Sequence, residues 1–465
     1  MTETWATSGL DLHIEAGTTR VGASLEHALR EAVRTGRLHP GTRLPSSRAL
    51  ARDLRLARNT VADAYGQLVA EGWLTSVQGS GTRVAGPGAP ATDASPRPPS
   101  EDRRPAYDLR PGRPDVSAFP RAAWLRATRR ALAGAPADAF DYGDPRGRPE
   151  LRASLAGYLA RARGVRASPD RVLVCSGYIQ GLALLGRVLA GRGVTEVAVE
   201  AFGHRTHRDV VTAAGLAVTS LPVDGDGADT GRLRGEGAAV FTPAHQFPLG
   251  VPLAARRRGL AVEWAAGTGG VVVEDDYDGE FRYDRQAVGA MQALAPEHVA
   301  YAGTASKTLA PGLRLAWVVL PAALVDDMVS AKLLADRHGS TLEQLTLAQL
   351  IDAGDYDRQV RRARLAYRSR RGHLVAAVRA AAPRVRVAGV AAGLHALLDL
   401  PAGVTEADVV ARGSAHGVAL DGLGSFGPPG YRDRQALVVG FATPPAHAYT
   451  GAVARLCATL SEVCR

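Results

Sequence analysis

Residues 303–317 read GTASKTLAPGLRLAW and contain Lys307, one of only two lysines in the chain. Lysine and arginine together number 56, so 54 of these residues are arginine. Nearly every position that needs only a positive charge is therefore arginine. Arginine keeps its proton, whereas a desolvated lysine can lose its proton and attack a carbonyl. Lys307 is thus a candidate for covalent chemistry. The other lysine, Lys332 in VSAKLLADR, has no reactive neighbours in sequence and is expected to be an ordinary surface residue.

The sequence around Lys307 alternates short apolar runs with amphipathic segments. The apolar runs are RVLVCSG, EVAVE, GAAVFTP, GGVVVEDDYDGEF and VAYAGTASK, and segments such as IQGLALLGRVLAG separate them. This rhythm predicts a mainly parallel sheet with helices on both faces. Because ligands bind at the carboxyl ends of the strands in such a sheet, the polar residues that follow the runs are expected to share one site.

These strand ends supply an anion cradle, a carboxylate, a phenol, an amine and a guanidinium. They are the Ser176–Gly177 turn with the helix amides of Tyr178 and Ile179, then Asp275, Tyr277, Lys307 and Arg314. Helix amides and arginine bind phosphate, and a carboxylate can hold a ring nitrogen protonated. Pyridoxal phosphate requires these groups together with a lysine for its aldehyde. Each residue alone also fits a turn, a cap, the core or a surface ion pair, but the ordered set predicts a pyridoxal phosphate site.

The N-terminal part of the chain has a different pattern. Apolar residues at helical spacing predict helices in SLEHALREAVRTG, in LPSSRALARDL with Ser46 or Ser47 as N-cap, and in RNTVADAYGQLVAEG. WLTSVQGSGTRVA then predicts a two-stranded wing that turns at Gly79, Ser80 and Gly81. Two helices, a tight turn and a third helix form the helix-turn-helix plan, whose last helix enters a major groove.

The charge of this part agrees with DNA binding. Residues 30–58 contain eight arginines (30, 34, 37, 43, 48, 52, 55 and 58) against Glu31 and Asp53, a net charge of +6. Such a run is often only a solvated helix face. Here it coincides with the turn and the start of the third helix, where contacts to DNA phosphates are expected.

The composition separates the two parts of the chain. Residues 85–106 are rich in Pro, Gly, Ser and charge, and predict a flexible linker between a domain at 1–84 and a larger body at 107–465. The formal charge of +10 permits a polyanionic partner. No apolar run of about 18 residues occurs, and the first residues lack the features of a signal peptide, so a cytoplasmic location is expected.

The three cysteines predict neither disulfides nor a metal site. Cys175, Cys457 and Cys464 are too few for a disulfide framework and lack the spacing and the histidine partners of a zinc site. They are expected to be reduced thiols.

The segment GRLHPGTRLPSSRALARDLRLARNTVADAYGQLVAEGWLTSVQGSGTRVA resembles the winged helix-turn-helix of the GntR superfamily almost from end to end. The resemblance implies DNA contacts from the turn, the third helix and the wing. The residues concerned are Arg43, Ser47, Arg48, Arg58, Asn59 and Thr60, with Gly81 and Thr82 in the wing.

The body resembles fold-type I aminotransferases over nearly its whole length. Four motifs further resemble the MocR family of transcriptional regulators, which join such a body to a GntR head: YGDPRGRPELRASLAGYLARARGV, FTPAHQFPLGVPL, VEDDYDGEFRYD and GTASKTLAPGLRL. This resemblance implies an α/β body with a mainly parallel sheet, a smaller C-terminal α+β part and a homodimer.

The resemblance also implies the role of each site residue. Lys307 would form the Schiff base, Asp275 would bind the pyridine nitrogen, and Tyr277 and His245 would lie near the ring oxygen. The phosphate would be bound by Thr304, Arg314 and the turn at Gly177 with the amides of Tyr178 and Ile179, together with Tyr142 from the partner subunit.

Two departures from the family pattern bear on the ligand. Relatives usually have a PGY-like turn whose aromatic residue covers the cofactor ring. At that place EAFGHRTH offers Phe202 and His204, and His204 is expected to stack there instead. In ALVVGFAT, Val438 stands where relatives usually have an arginine for a substrate carboxylate. Nearby Arg432 and Arg434 either compensate from a loop or are solvated turn charges.

The sequence as a whole predicts a DNA-binding transcriptional regulator. Its body would bind pyridoxal phosphate through a Schiff base, and would sense this cofactor or an effector related to amines or amino acids. The alternative is an active aminotransferase with an appended DNA-binding head, and the missing carboxylate arginine argues against it. Residues 355–374 carry seven arginines (358, 361, 362, 364, 368, 370 and 371), which either follow a second stretch of DNA or form a solvated helix that ion-pairs across a dimer.

Overall fold

The computed structural model describes residues 21–77, 81–85, 105–283 and 288–464. The chain divides into two compact units, Met1–Arg103 and Arg104–Arg465. Nearly all of the predicted linker (86–104), and Gly79 and Ser80 of the predicted wing turn, lie outside the described residues. None of the helices within the described ranges combines the length and the hydropathy needed to cross a membrane.

The first unit, called the head below, contains three helices followed by a hairpin. Its elements are α1 (Val21–Arg34), α2 (Ser47–Leu54), α3 (Arg58–Ala70), β1 (Leu74–Val77) and β2 (Gly81–Val84). The apolar residues at helical spacing form its core, with Leu25, Leu50, Val61 and Leu68 fully buried. The two strands pair antiparallel as the wing. The predicted winged helix-turn-helix is confirmed.

Local contacts fix the angle between α2 and α3. Ser46, and not Ser47, caps α2, since its Oγ accepts a hydrogen bond from the amide of Ala49 at 3.2 Å. The Tyr65 hydroxyl on α3 donates to the carbonyl of Pro45 at 3.0 Å, just before that cap. The amide of Leu44 donates to the carbonyl of Thr82, so the wing is bonded to the segment that enters α2.

The second unit, the body, alternates strands and helices over most of its length. Its first half comprises β3 (Tyr107–Asp108), α4 (Arg121–Gly134), α5 (Pro149–Arg163), β4 (Val172–Cys175), α6 (Tyr178–Gly191), β5 (Glu196–Glu200), α7 (Arg205–Ala213), β6 (Ala217–Leu221), β7 (Val223–Asp224), β8 (Gly227–Ala228), β9 (Ala238–Phe241) and α8 (Ala255–Thr268). Its second half comprises β10 (Val271–Asp276), β11 (Val299–Thr304), β12 (Ala316–Val319), α9 (Val325–Ala335), α10 (Thr341–Asp352), α11 (Asp355–Ala381), β13 (Arg386–Ala388), β14 (Ala396–Asp399), α12 (Glu406–Ala415), β15 (Val418–Ala419), β16 (Asp421–Gly422), β17 (Ala436–Val439) and α13 (Tyr449–Val463).

One large sheet in the described part of the body has the strand order β4-β12-β11-β10-β9-β5-β6. The pairs β11–β10, β10–β9, β9–β5 and β5–β6 are parallel, and β12 runs antiparallel to both of its neighbours. All five apolar runs of the sequence are strands of this sheet. Such runs suit strands that helices cover on both faces. The mainly parallel sheet is confirmed.

A smaller antiparallel sheet of order β13-β14-β17-β16 follows the large one. Helices α11 and α13 pack with this sheet around a core that includes Leu374, Leu398, Leu437 and Leu456. The predicted smaller C-terminal α+β part is therefore confirmed.

Candidate functional site

A cavity of about 250 Å³ opens at the carboxyl ends of β5, β9, β10 and β11. Nine of the eleven predicted cofactor residues line it: Gly177, Tyr178, Ile179, His204, Asp275, Tyr277, Thr304, Lys307 and Arg314. The other two, Tyr142 and His245, do not. The fold thus gathers residues that are separated by up to 137 positions in sequence, as expected for neighbouring ends of parallel strands.

Lys307 lies in the turn after β11 and reaches into this cavity. Its Nζ donates a hydrogen bond to the carbonyl of Gly112 at 2.5 Å. Burial lowers the pKa of Lys307, although the carboxylates of Asp275 and Asp278 oppose the shift. A lowered pKa raises the fraction of neutral amine, which is the nucleophilic form.

The anion cradle is the N-terminus of α6. Within the described residues, the amides of Gly177, Tyr178 and Ile179 have no protein acceptor. Arg314 closes the cradle, because its guanidinium donates to the carbonyl of Ser176. A Cβ on Gly177 would lie only 2.7–2.8 Å from three atoms of that guanidinium. The position therefore requires glycine, which also accommodates its φ of 98°.

Two hydroxyls stand beside this cradle at the end of β11. Thr304 Oγ1 donates to Ser306 Oγ at 2.9 Å and accepts from the amide of Ser306 at 3.1 Å. Both side chains line the cavity. Hydroxyls, helix amides and a guanidinium together are donors suited to a phosphate.

Asp275 and Asp276 end β10 and have different surroundings, as successive residues of a strand do. Asp275 lines the cavity and is 6% exposed, and burial raises its pKa well above the ordinary range although Lys307 opposes the shift. Asp276 instead accepts hydrogen bonds from Arg163 Nε at 2.6 Å and from the hydroxyl of Tyr301 at 2.7 Å. Only Asp275 is therefore available to a ligand.

Behind the cavity, His245 supports Tyr277. The Tyr277 hydroxyl donates to the carbonyl of His245 at 3.1 Å, and His245 Nδ1 lies 2.8 Å from Asp278 Oδ2. A Cβ on Gly393 would lie 2.3 Å from the imidazole and 2.4 Å from that carboxylate. His245 is not among the residues that line the cavity, and it contacts Tyr277, which is. Its place beside the cofactor ring stays a prediction.

His204 caps one wall of the cavity. Its ring stacks on Phe247 at 4.2 Å between centroids and 14° between planes. Burial lowers its pKa to about 4, so the imidazole is neutral near pH 7. A neutral flat ring is able to stack on an aromatic ligand without charge repulsion.

Sequence reasoning missed Glu200, Arg208, His207 and His395, which also line the cavity. Glu200 ends β5 and accepts from Thr242 Oγ1 at 2.6 Å. Burial raises the pKa of Glu200 to about 7, although the hydrogen bonds that this carboxyl accepts from Thr242 and Gln246 lower it. Glu200 is the last residue of β5, and Asp275 is the last but one of β10. The expectation that polar residues at strand ends share one site, applied to EVAVE, would have identified Glu200.

The head presents a groove between the wing and the helices. Four of the eight predicted DNA contacts line it, namely Arg43, Ser47, Gly81 and Thr82. Arg48 in α2, and Arg58, Asn59 and Thr60 in the first turn of α3, lie outside that groove. The Arg48, Arg58 and Asn59 side chains are exposed, whereas Thr60 is half-buried.

Of the eight arginines of residues 30–58, Arg30 and Arg34 are held in ion pairs. Arg30 pairs with Glu71 at 2.7 Å and with Glu26 at 3.0 Å, and Arg34 pairs with Glu31 at 2.9 Å. In the described part of the head, Arg48 and Arg58 have no carboxylate partner. The free positive charge therefore lies nearer the third helix and the turn, where DNA phosphates are expected.

Comparison with known proteins agrees with both units. Residues 21–84 match the bacterial regulatory proteins of the gntR family, and residues 112–416 match the class I and II aminotransferases. The chain is 34% identical over 380 residues to the probable rhizopine catabolism regulatory protein MocR of Rhizobium meliloti, covering 76% of each chain. It belongs to the MocR-type regulators.

Two further relatives extend the comparison. The chain is 30% identical over 402 residues to PdxR, the pyridoxine biosynthesis transcriptional regulator of Corynebacterium glutamicum. The match spans 85% of this chain and 87% of the relative. The structure of Pyrococcus horikoshii kynurenine aminotransferase, in complex with PMP, matches with a TM-score of 0.69 and 25% identity over 78% of this chain and 92% of that one. The MocR-type chain thus combines a DNA-binding head with an aminotransferase-like body.

At position 438 of β17, this MocR-type body has valine in place of the arginine that would bind a substrate carboxylate. Val438 in β17 is fully buried against Phe202, Leu249 and Leu397. Arg434 is ion-paired with Asp399 at 2.7 Å. Neither Arg434 nor Arg432 lines the cavity, so within the described residues these loop arginines do not replace the clamp.

Tyr142 lies on the surface of the chain, 73% exposed, and away from the cavity of its own subunit. The guanidinium of Arg337 lies 4.1 Å from the centroid of its ring. Phe140 beside it is 55% exposed. Tyr142 is therefore not part of the cavity of its own chain, and its role toward a partner stays a prediction.

Several arginines of α11 have structural roles. Arg370 pairs with buried Asp115 at 2.7 Å, Arg364 donates to the carbonyl of Glu280, and Arg358 pairs with Asp355. The exposed Arg361, Arg362 and Arg368 remain available to solvent or to a partner.

Proposed function

We propose that this MocR-type regulator binds pyridoxal phosphate in the cavity of its body and that occupancy of the cavity controls DNA binding by its head. The observation that carries the proposal is the meeting of Lys307, Asp275 and the α6 cradle in one cavity. The relative PdxR carries pyridoxine biosynthesis in its name, which supports a related signal here.

The residues fit the cofactor chemically. The cradle at Gly177 offers unused amides and the Arg314 guanidinium to a phosphate. Burial, and then the nearby carboxyl groups, raise the pKa of Asp275, and a protonated ring nitrogen would hold this carboxyl ionised. Tyr277, with its pKa raised by burial, stays a neutral phenol, and its one hydroxyl proton would turn from the carbonyl of His245 to donate to a ring oxygen.

When bound, pyridoxal phosphate supplies an aldehyde that condenses with an unprotonated amine. Lys307 is the group placed for this, because burial favours its neutral form and Gly112 orients its Nζ. His204 covers the cavity wall as a flat neutral ring. Phe202 and Phe247 limit the access of water beside it.

The charges in the cavity favour an effector without an α-carboxylate. The arginines that line it, among the described residues, are Arg208 and Arg314. Arg314 serves the phosphate cradle, and Arg208 already donates to the Glu200 carbonyl and to Ser220 Oγ. Among the described residues of the cavity, no further arginine remains as a bidentate clamp for the carboxylate of an amino acid. We propose that the signal is pyridoxal phosphate itself or an amine.

The proposed organisation is a head at 1–84, a linker at 85–106 and a body at 107–465, acting as a homodimer in which Tyr142 reaches the phosphate of the partner subunit. The exposure of Tyr142 and Phe140 supports this arrangement. The proposed location is the cytoplasm, where an operator is accessible.

The first experiment tests Lys307. Purified protein incubated with pyridoxal phosphate is expected to show a visible absorption band, and borohydride is expected to fix the cofactor to the peptide that contains Lys307. Lys307→Ala should lose both signals. An unchanged covalent adduct in Lys307→Ala would contradict the proposal, and Lys332 is then the only other lysine that can carry it.

A second experiment separates sensor from enzyme. The holoprotein is mixed with a panel of amines and α-amino acids while the visible band and the release of the amino form of the cofactor are followed. Spectral change with amines, and little with amino acids, is expected. Rapid turnover of an ordinary α-amino acid would instead support the aminotransferase alternative. The structural likeness to kynurenine aminotransferase is the observation that favours this alternative.

A further inference from the structure

Lys332, the second lysine, is not the surface residue that the sequence suggests. It lies in α9 with a relative exposure of 0%, and its ammonium pairs with Asp336 one turn later. A buried ammonium is costly unless it is paired. Its retention in a chain with 54 arginines and two lysines therefore requires a local reason.

A chain of hydrogen bonds runs from Lys332 to the anion cradle. Asp336 accepts from Lys332 through Oδ1 and from Gln180 Nε2 through Oδ2, the latter at 2.7 Å. The side chain of Gln180 then turns back, and its Oε1 accepts from the amide of Ser176 at 2.7 Å. Residues 156 positions apart thus join α9 to the turn that precedes α6.

This chain of hydrogen bonds and Arg314 together hold the residue that precedes the cradle. Gln180 binds the amide of Ser176, while Arg314 binds the carbonyl of the same residue. Because the Ser176 amide is satisfied by the protein, the next three amides remain for a ligand. Both backbone groups of Ser176 are held, so the direction in which these amides point is set before any ligand arrives.

We infer that Lys332 is a positioning residue of the phosphate site, acting through Asp336 and Gln180 to hold the Ser176–Gly177 turn. The inference rests on the proposed function, since it concerns the phosphate of that same cofactor. Lys332 touches neither the cavity nor the ligand. The side chains of Asp336 and Gln180 lie between Lys332 and the turn that bears these amides.

The shape of the site explains why arginine does not replace this lysine. The ammonium is a compact point charge, whereas the guanidinium is a planar fork with five donors. The fully buried Lys332 side chain lies near Cys175, and its ammonium meets one carboxylate oxygen, that of Asp336. A guanidinium there would bring several donors to a single acceptor. Arginine there would displace Asp336 and release Gln180.

The experiment compares the affinity of the full-length protein for pyridoxal phosphate with its affinity for pyridoxal, which lacks the phosphate. Lys332→Met, Lys332→Arg and Gln180→Leu are measured beside the wild type. Each variant is expected to lose about tenfold or more in affinity for pyridoxal phosphate, because charged hydrogen bonds to a loosened turn are lost. Affinity for pyridoxal should be nearly unchanged.

The matched control is Asp327→Asn. Asp327 accepts from Arg192 Nε at 2.6 Å, in an exposed ion pair that joins the same two helices at the end remote from the cradle. This variant should keep the wild-type ratio of the two affinities. If Lys332→Met does not fold, Gln180→Leu decides, because it keeps the Lys332–Asp336 pair and removes the two hydrogen bonds through which Gln180 joins Asp336 to Ser176.

The outcomes separate the two levels of the proposal. A wild type that binds neither pyridoxal phosphate nor pyridoxal overturns the proposed function and this inference together. A wild type that binds both, with variants that keep the wild-type ratio, overturns the inference alone. A loss of discrimination for phosphate in the Lys332 and Gln180 variants, absent from Asp327→Asn, supports it.

Discussion

Replacing Gly177 by alanine should damage the phosphate cradle specifically. Gly177 has φ 98° and ψ 161°, a region that only glycine readily adopts. An alanine there costs about 1–3 kcal/mol in backbone strain. The added Cβ would also lie 2.7–2.8 Å from the guanidinium of Arg314, which must therefore move away. Loss of one charge-assisted contact to phosphate forfeits ~1.5–3 kcal/mol, or about 10- to 140-fold in affinity.

Titration of Gly177→Ala with pyridoxal phosphate and with pyridoxal measures this loss, and denaturant unfolding measures the strain. Gly191→Ala is the control, because Gly191 ends the same helix and nothing lies within 4 Å of an added Cβ. Wild-type affinity in Gly177→Ala would show that the α6 turn does not bind the phosphate. Equal losses for both ligands would show that the damage is not confined to the phosphate.

Two further predictions concern the head and the cavity. Arg58→Ala and Arg48→Ala should each weaken operator binding by about 1–3 kcal/mol. Arg34 is paired with Glu31, so Arg34→Ala should change operator binding little. Equal effects of all three variants in a mobility-shift titration would contradict this. Burial raises the pKa of Glu200 from 4.5 to about 7, so the folded state holds a proton that the unfolded chain releases, and its contribution to stability falls as pH rises through this range. Between pH 4.5 and 7, the free energy of unfolding in urea should fall by about 3 kcal/mol less in Glu200→Gln than in the wild type. The same pH profile in both proteins would refute this prediction.

The fold was predictable because its signals are local. Apolar runs such as EVAVE and amphipathic segments between them require a covered parallel sheet, and the strand ends then converge whatever the details of the helices. Lys307, Asp275 and Gly177 were found because each follows such a run directly. Glu200 obeys the same rule and was missed only because no cofactor role was assigned to it.

What the sequence did not reveal depends on contacts between distant segments. Whether Lys332 is buried is decided by how α9 packs on α6, and nothing in VSAKLLADR specifies that packing. The link from Gln180 to Asp336 spans 156 residues. The contacts of His245 with Asp278 and Tyr277 likewise join residues more than 30 positions apart, and no periodic signal in sequence announces them.

The two lysines resist replacement by arginine for different reasons, and this difference can be measured. Lys307 needs an amine that loses its proton, so Lys307→Arg should abolish the borohydride-fixed adduct yet still prefer pyridoxal phosphate to pyridoxal, because the cradle is intact. Lys332 needs a compact buried charge, so Lys332→Arg should keep the covalent adduct and lose the preference for phosphate. If both variants fail in the same assay, the lysines do not have separate roles, and the chain of contacts from α9 to Ser176 does not act on the ligand.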